Sequence, residues 1–251
     1  MNDVLRLLGI RTLRRAYRSL RLAPLHVECW RRFLRDYETY CTLERPDRRP
    51  SRRHLMPYVL DATESTPIEP IYFYQDAWAF ERIVANAPER HVDVGSHHKF
   101  VALLSKVLPV TMIDLRPLSV PLDSLDFVEG SILDLPFEDR TLSSLSSLCV
   151  VEHIGLGRYG DELDPDGSAK AIKELARVVA PGGRLYLSVP VGDEYIVAFN
   201  AGRVLPRAFV LENAAPLELV QERHIVGGVF KETYTPGPPF TVTGLYEFRC
   251  P

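Results

Sequence analysis

The sequence predicts an α/β fold, with a mostly parallel, seven-stranded sheet covered by helices on both faces and a helical N-terminal extension in front. Two observations carry this. From about residue 91 onward, short apolar runs alternate with stripes of apolar residues at helical spacing, and each early run stops at a glycine or an acid. A chain of 251 residues with 46% hydrophobic content also suffices for one such domain and an appendage.

Residues 1–60 form the extension and 61–251 the α/β domain. In the extension, Ile10, Leu13, Tyr17 and Leu20 recur at spacings of three and four, as do Trp30, Phe33, Leu34, Tyr37 and Tyr40, with Pro24 between the two helices. Arg45-Pro46-Asp47-Arg48-Arg49-Pro50 reads as a loop, and so do residues 61–70. The aromatic segment Ile71–Tyr74 leads into a helix through Trp78, Phe80 and Ile83. The first strand is His91–Val94, and Phe100, Leu103, Leu104, Val107 and Leu108 then make one helix face. Val110–Ile113, Leu125–Val128, Leu145–Val150 and Leu185–Val189 are further strands. The helix through Ile172, Leu175, Ala176 and Val179 stops at Pro181-Gly182-Gly183. Leu217–Val220 and Leu245–Phe248 close the sheet as an antiparallel pair. Parallel strands joined through helices are buried on both faces, the Rossmann-like arrangement.

Charge is unevenly spread. Residues 1–60 carry 14 Lys+Arg against 6 Asp+Glu, whereas the remainder carries 16 against 27. The acidic body argues against a nucleic-acid groove. The basic helices suit either a solvated face or a peripheral contact with an anionic membrane or a protein partner. No apolar run is long enough for a transmembrane span, and the N-terminus lacks the order of regions found in a signal peptide. Cys29, Cys41, Cys149 and Cys250 are widely spaced and read as reduced packing residues, so the chain is expected in the cytoplasm.

In a parallel sheet, ligands bind beyond the carboxyl ends of the strands. Those ends carry Asp93-Val94-Gly95-Ser96, Asp114, Gly130-Ser131-Ile132 and Leu148 to His153. Gly95 permits a sharp turn and a close ligand approach. Asp114 sits where a carboxylate accepts hydrogen bonds from ribose hydroxyls. Ile132 would pack on an adenine face, with Ser131 at its edge. Each residue also has a plain structural role open to it: Asp93 and Asp114 as helix caps, Gly95 and Gly130 as turn residues. The ordered set points to a nucleotide-type cofactor.

The span from His91 to about Pro190 resembles the class I S-adenosylmethionine-dependent methyltransferases. Glu129–Asp139 is similar to their third-strand adenine loop, Val150–Ile154 to the end of their fourth strand, and Glu174–Gly183 to the helix and turn before their fifth. Within the superfamily, Glu152–Asp161 followed by Leu163–Gly167 resembles a branch known only as a domain of unknown function and often found among genes for surface-polysaccharide assembly. The resemblance implies S-adenosylmethionine as cofactor, held by Asp93, Gly95, Ser96, Asp114, Gly130, Ser131, Ile132, Leu148 and Cys149. It implies methyl transfer to an oxygen or nitrogen nucleophile of a small acceptor, such as a carbohydrate or sugar nucleotide.

The chain departs from that pattern in two places. His97 and Lys99 stand where the second and third glycines of the first motif are usual, which narrows the space for the methionine moiety. Ser131 replaces an acidic residue that would read the adenine amino group. His153, at the fourth-strand exit, is the candidate general base, with Glu152 beside it; loop orientation by hydrogen bonding is the other role open to both. Arg158, Tyr159 and Asp161, in the glycine-rich stretch that follows, suit a hydroxyl-rich acceptor. His97-His98 has no carboxylate or cysteine at a metal-ligand spacing, so no metal is expected. The competing function is a methyltransferase fold without catalysis, serving as a binding or scaffold protein.

Overall fold

The computed structural model describes residues 26–251, so the first basic helix, expected through Ile10 and Leu20, lies outside the described residues. The chain divides into two units between Pro67 and Ile68. In the first, a helix over 26–43 (α1) carries Trp30, Phe33 and Tyr37. Two 3-10 turns follow, Pro46–Arg48 and Arg52–His54. The Tyr37 hydroxyl donates to the Pro50 carbonyl at 3.1 Å, tying the helix to the segment after the first turn.

The second unit holds the sheet. Its strands are β1 (His91–Val94), β2 (Val110–Asp114), β3 (Leu125–Glu129), β4 (Leu142–Leu148), β5 (Val179–Gly192), β6 (Ile196–Ala198), β7 (Gly202–Pro206), β8 (Glu218–Val226), β9 (Val229–Lys231) and β10 (Val242–Arg249). The main path runs β3-β2-β1-β4-β5-β10-β8-β9, and the β6/β7 hairpin joins the far end of β5. Strands β1 to β5 are parallel where they pair. β10 is antiparallel to both β5 and β8, as the last two apolar runs predict.

Among the described residues the sheet has ten strands, not seven. The three extra ones, β6, β7 and β9, have three to five residues each and lack a long apolar run. Other limits shift too. The aromatic segment 71–74 is the first turn of α2 (Pro70–Asn86), where Pro70 starts the helix and the Glu69 carboxylate accepts from Tyr72 N at 2.7 Å. α3 (His98–Leu104) stops before Val107, which is exposed, and Leu103 within it also faces outward, so the five-residue stripe is not one buried face. α4 (Gly167–Val178) and α5 (Arg207–Ala214) complete the layers.

Side-chain alternation along the strands makes two cores. Leu185, Leu187 and Val189 of β5 pack with Ile172, Leu175, Val210 and Ala214 from α4 and α5. Tyr186 and Leu148 point the other way and pack with Trp78, Ile83, Phe100 and Leu104 from α2 and α3. Helices therefore cover both faces.

One buried acid ties the layers together. Glu247 of β10 is fully buried; its carboxylate accepts from Arg82 Nε at 2.7 Å, Arg184 Nη1 at 2.6 Å and Asn86 Nδ2 at 3.1 Å. Removing it strands two guanidiniums that are themselves mostly buried. Glu247→Ala is expected to destabilise the protein by roughly 3 kcal/mol in urea denaturation, and Glu247→Gln by less, because one acceptor oxygen remains.

Candidate functional site

The site begins in a polar seam between β1 and β4. The His91 ring meets Ser144 Oγ at 2.7 Å through Nδ1 and Ser146 Oγ at 2.8 Å through Nε2. Ser146 Oγ donates to Asp93 Oδ2, and Asp93 Oδ1 accepts from Ser96 N at 3.0 Å. Ser96 Oγ accepts in turn from Leu148 N at 2.9 Å. Burial holds His91 neutral, its pKa lowered to about 3, and raises Asp93 to about 6 against the pull of its serine partners. The seam sets the turn after β1 against the exit of β4. Gly95 makes that turn at φ +72°, and a Cβ there would sit 3.0 Å from Val150 Cγ1.

A cleft of about 870 Å³ opens above this turn, and a narrower recess of about 90 Å³ adjoins it. The cleft volume lies within the range of small-molecule sites. Gly95, Asp114, Arg116, Cys149, His153 and Tyr159 line both spaces. Ile113, Leu115, Gly130, Ile132, Val150 and Ile154 give the recess apolar walls. Asp114 Oδ1 accepts from Arg116 N at 2.9 Å, which fixes the carboxylate at the end of β2. On the cleft side the His97 ring lies tilted against Tyr72 at 5.0 Å and against His98 at 4.5 Å between ring centroids. Its Nδ1 is buried without a hydrogen-bond partner among the described residues.

At the β4 exit Cys149 takes φ +53° and Val151–His153 forms a 3-10 turn. Cys149 Sγ and Ser188 Oγ both donate to Oε1 of the buried Gln75, at 3.2 and 2.7 Å. Burial raises the Cys149 thiol well above its usual range, so it is no thiolate nucleophile. Glu152 is buried and one of its oxygens has no hydrogen-bond partner among the described residues; desolvation raises its pKa to about 8. His153 is lowered to about 4, by burial first and then by the Arg158 charge. The 3.6 Å contact between His153 Nε2 and Glu152 Oε1 therefore joins a protonated carboxyl to a neutral imidazole at pH 7, and is not a charged pair.

The stretch after the turn is rigidly built. Asp161 accepts from the backbone N–H of Gly155 at 2.7 Å and Tyr159 at 3.2 Å. Gly155 has φ +79°, and a Cβ there would fall 2.1 Å from the Asp164 carbonyl oxygen. Arg203 of β7 lies beneath, 1% exposed. It donates to the carbonyls of Ile154 and, at 3.1 Å, Asp164, and to Ser168 Oγ at 3.1 Å.

Of the residues the sequence singles out, Gly95, Ser96, Asp114, Gly130, Ile132, Leu148, Cys149, His153, Arg158 and Tyr159 come together around one cleft. Four do not line it. Asp93 braces the turn from behind. Ser131 Oγ accepts from Leu133 N within its own loop at 3.1 Å. Glu152 is buried beside His153, and Asp161 holds its own loop. The sequence marks neither Leu115 and Arg116 as site residues nor Arg203 and Gln75 as supports; Tyr72 reads there as either a pocket wall or core packing, and it lines the cleft. Arg116 alone had a signal, lying two residues after Asp114 at a strand end.

The N-methyltransferase NodS from Bradyrhizobium japonicum, solved with S-adenosylhomocysteine, matches with TM-score 0.52 and 17% identity over 78% of this chain and 92% of its own. The fold is that of the class I methyltransferases. A second structure with this fold is the Burkholderia thailandensis 1,6-didemethyltoxoflavin-N1-methyltransferase, with TM-score 0.50 and 17% identity over 70% of this chain and 78% of its own. The [4+2]-cyclase SpnF also matches, with TM-score 0.52 and 14% identity over 71% of this chain and 81% of its own. The same fold thus carries other chemistry, and the fold alone does not decide the reaction. A sequence-family model described as a Caenorhabditis protein of unknown function, DUF268, matches residues 137–209. No curated protein matches the chain by sequence.

The raised Glu152 pKa makes stability depend on pH. Its ordinary value, 4.5, applies to the unfolded chain, so its contribution is complete below that pH and is lost as pH rises through about 8. Across that window the loss has a limiting slope of about 1.4 kcal/mol per pH unit. Urea denaturation between pH 5 and pH 9 is expected to show a decline in wild type that is flatter in Glu152→Gln.

Proposed function

We propose that the chain is an S-adenosylmethionine-dependent methyltransferase acting on an oxygen or nitrogen nucleophile. The observation that carries the reading is the convergence of Gly95, Asp114 and Ile132, from three strand ends, on the cleft and its adjoining recess in a methyltransferase fold. These residues suit the adenosine half of the cofactor: a carboxylate for the ribose, apolar walls for the adenine, and a glycine turn for close approach. The cofactor would supply an electrophilic methyl group. The chain's part is to hold the acceptor in line and to take its proton, and His153 is neutral and lines the cleft. Glu152, protonated beside it, would keep a second negative charge away from the reacting atoms. Arg158 and Tyr159 offer polar contacts to a hydroxyl-rich acceptor, and the finer reading of a carbohydrate or sugar nucleotide rests on the branch resemblance.

One observation favours a second reading, a binding or scaffold protein that no longer methylates. The His97 ring stands where a glycine usually makes room and is braced by Tyr72. Calorimetric titration with S-adenosylmethionine and S-adenosylhomocysteine separates the two. The methyltransferase reading expects saturable heat that vanishes in Gly95→Arg and weakens about tenfold in Asp114→Ala, the cost of one charge-assisted contact. No heat and no thermal shift at millimolar ligand would favour the scaffold.

A further inference from the structure

The cleft carries a charge opposite to that of its domain. Residues 61–251 hold 16 Lys+Arg against 27 Asp+Glu. The cleft wall nevertheless presents the two guanidiniums of Arg116 and Arg158 against a single carboxylate among the described residues, Asp114, beside the neutral His153. The two guanidiniums are gathered on one ring: Arg116 lies 4.5 Å and Arg158 5.1 Å from the Tyr159 centroid. Two cations beside one aromatic ring repel each other, and an anion bound to both relieves that repulsion. Arg116 is only loosely paired, its Nε 3.6 Å from Asp114 Oδ1 and beyond hydrogen-bond length, and Arg158 forms no salt bridge among the described residues. Arg158 Nη1 donates to the Ala201 carbonyl at 2.7 Å and meets His153 Nδ1 at 3.3 Å, which anchors the side chain and leaves the rest of its fork without a protein acceptor among the described residues.

We propose that the cleft takes an acceptor bearing an oxyanion, phosphoryl or carboxylate, bound by the guanidiniums of Arg158 and Arg116 beside His153. The proposal rests on the methyltransferase reading for the word acceptor; the anion subsite itself rests on the arginine pair. Guanidinium forks match both oxyanions in geometry. The subsite also couples binding to proton removal. Arg158 is one cause of the weak basicity of His153, so an anion that neutralises Arg158 strengthens the base as the acceptor arrives.

The test titrates the full-length protein with pyrophosphate and, separately, with malonate, each with and without saturating S-adenosylhomocysteine. Saturable binding is expected, weakened about tenfold or more in Arg158→Gln and in Arg116→Gln and less in Arg158→Lys, which keeps the charge but loses the fork. Arg140→Gln, an exposed position away from the cleft, serves as control and should bind as wild type. Preference for pyrophosphate assigns a phosphorylated acceptor, and preference for malonate a carboxylated one. No binding at millimolar anion, or equal binding by Arg158→Gln, overturns the proposal. Competition between pyrophosphate and S-adenosylhomocysteine also overturns it, because the arginines would then serve the cofactor's own carboxylate. Arginine-dependent anion binding without S-adenosylhomocysteine binding leaves the subsite standing while the cofactor reading falls.

Discussion

The site depends on the buried polar seam between β1 and β4. His91, Asp93, Ser144 and Ser146 lie in the middle of the sheet with at most 3% exposure, where apolar side chains would be expected. Burying them is tolerable because each finds a partner within the seam. Their bonds select one register, Val92 against Leu145 and Asp93 against Ser146. That register brings Gly95 under Val150 and Ser96 under Leu148, so two loops about 50 residues apart become one wall. A one-residue slip would move His91 and Asp93 to the face now held by Val92 and Val94, away from the β4 serines that satisfy them.

A second layer of support lies under the β4 exit. Arg203 spends its guanidinium on neutral acceptors, chiefly backbone carbonyls of the 154–165 stretch, and so fixes the loop that presents Arg158 and Tyr159. Gln75 does the same for Cys149 and Ser188 from α2. The cleft is therefore assembled from four strand ends and one loop, and buried polar groups hold the β1 end, the β4 exit and the loop from behind. Such preorganisation suits chemistry that relies on positioning.

Much of this was legible in the sequence. Strands β1, β2 and the middle of β5 are buried and appear as apolar runs, and Gly95 after β1 and Asp114 at the end of β2 mark the cleft side. What escaped has physical reasons. Arg203 in β7 reads as a surface residue, since arginine is rarely buried and its partners are carbonyls that no side-chain pattern reveals. Asp93 has the right residue type at the right strand end, yet its direction follows from the serines of β4, invisible until the strands are paired. Asp161 and Ser131 bond locally, as short polar side chains in loops tend to do. The pairing of Tyr72 with His97 joins segments 25 residues apart and needed the fold to be seen.

The central claim is that the seam-built cleft holds a nucleoside between the ends of β1, β2 and β3. A crystal structure of the protein with S-adenosylhomocysteine tests it most directly. The account predicts ribose hydroxyls on the Asp114 carboxylate, adenine against Leu115 and Ile132, and the His97 ring displaced from Tyr72 or packed along the amino-acid tail. Density showing His97 and Tyr72 still in contact, with no nucleoside at Asp114 under saturating ligand, would contradict it.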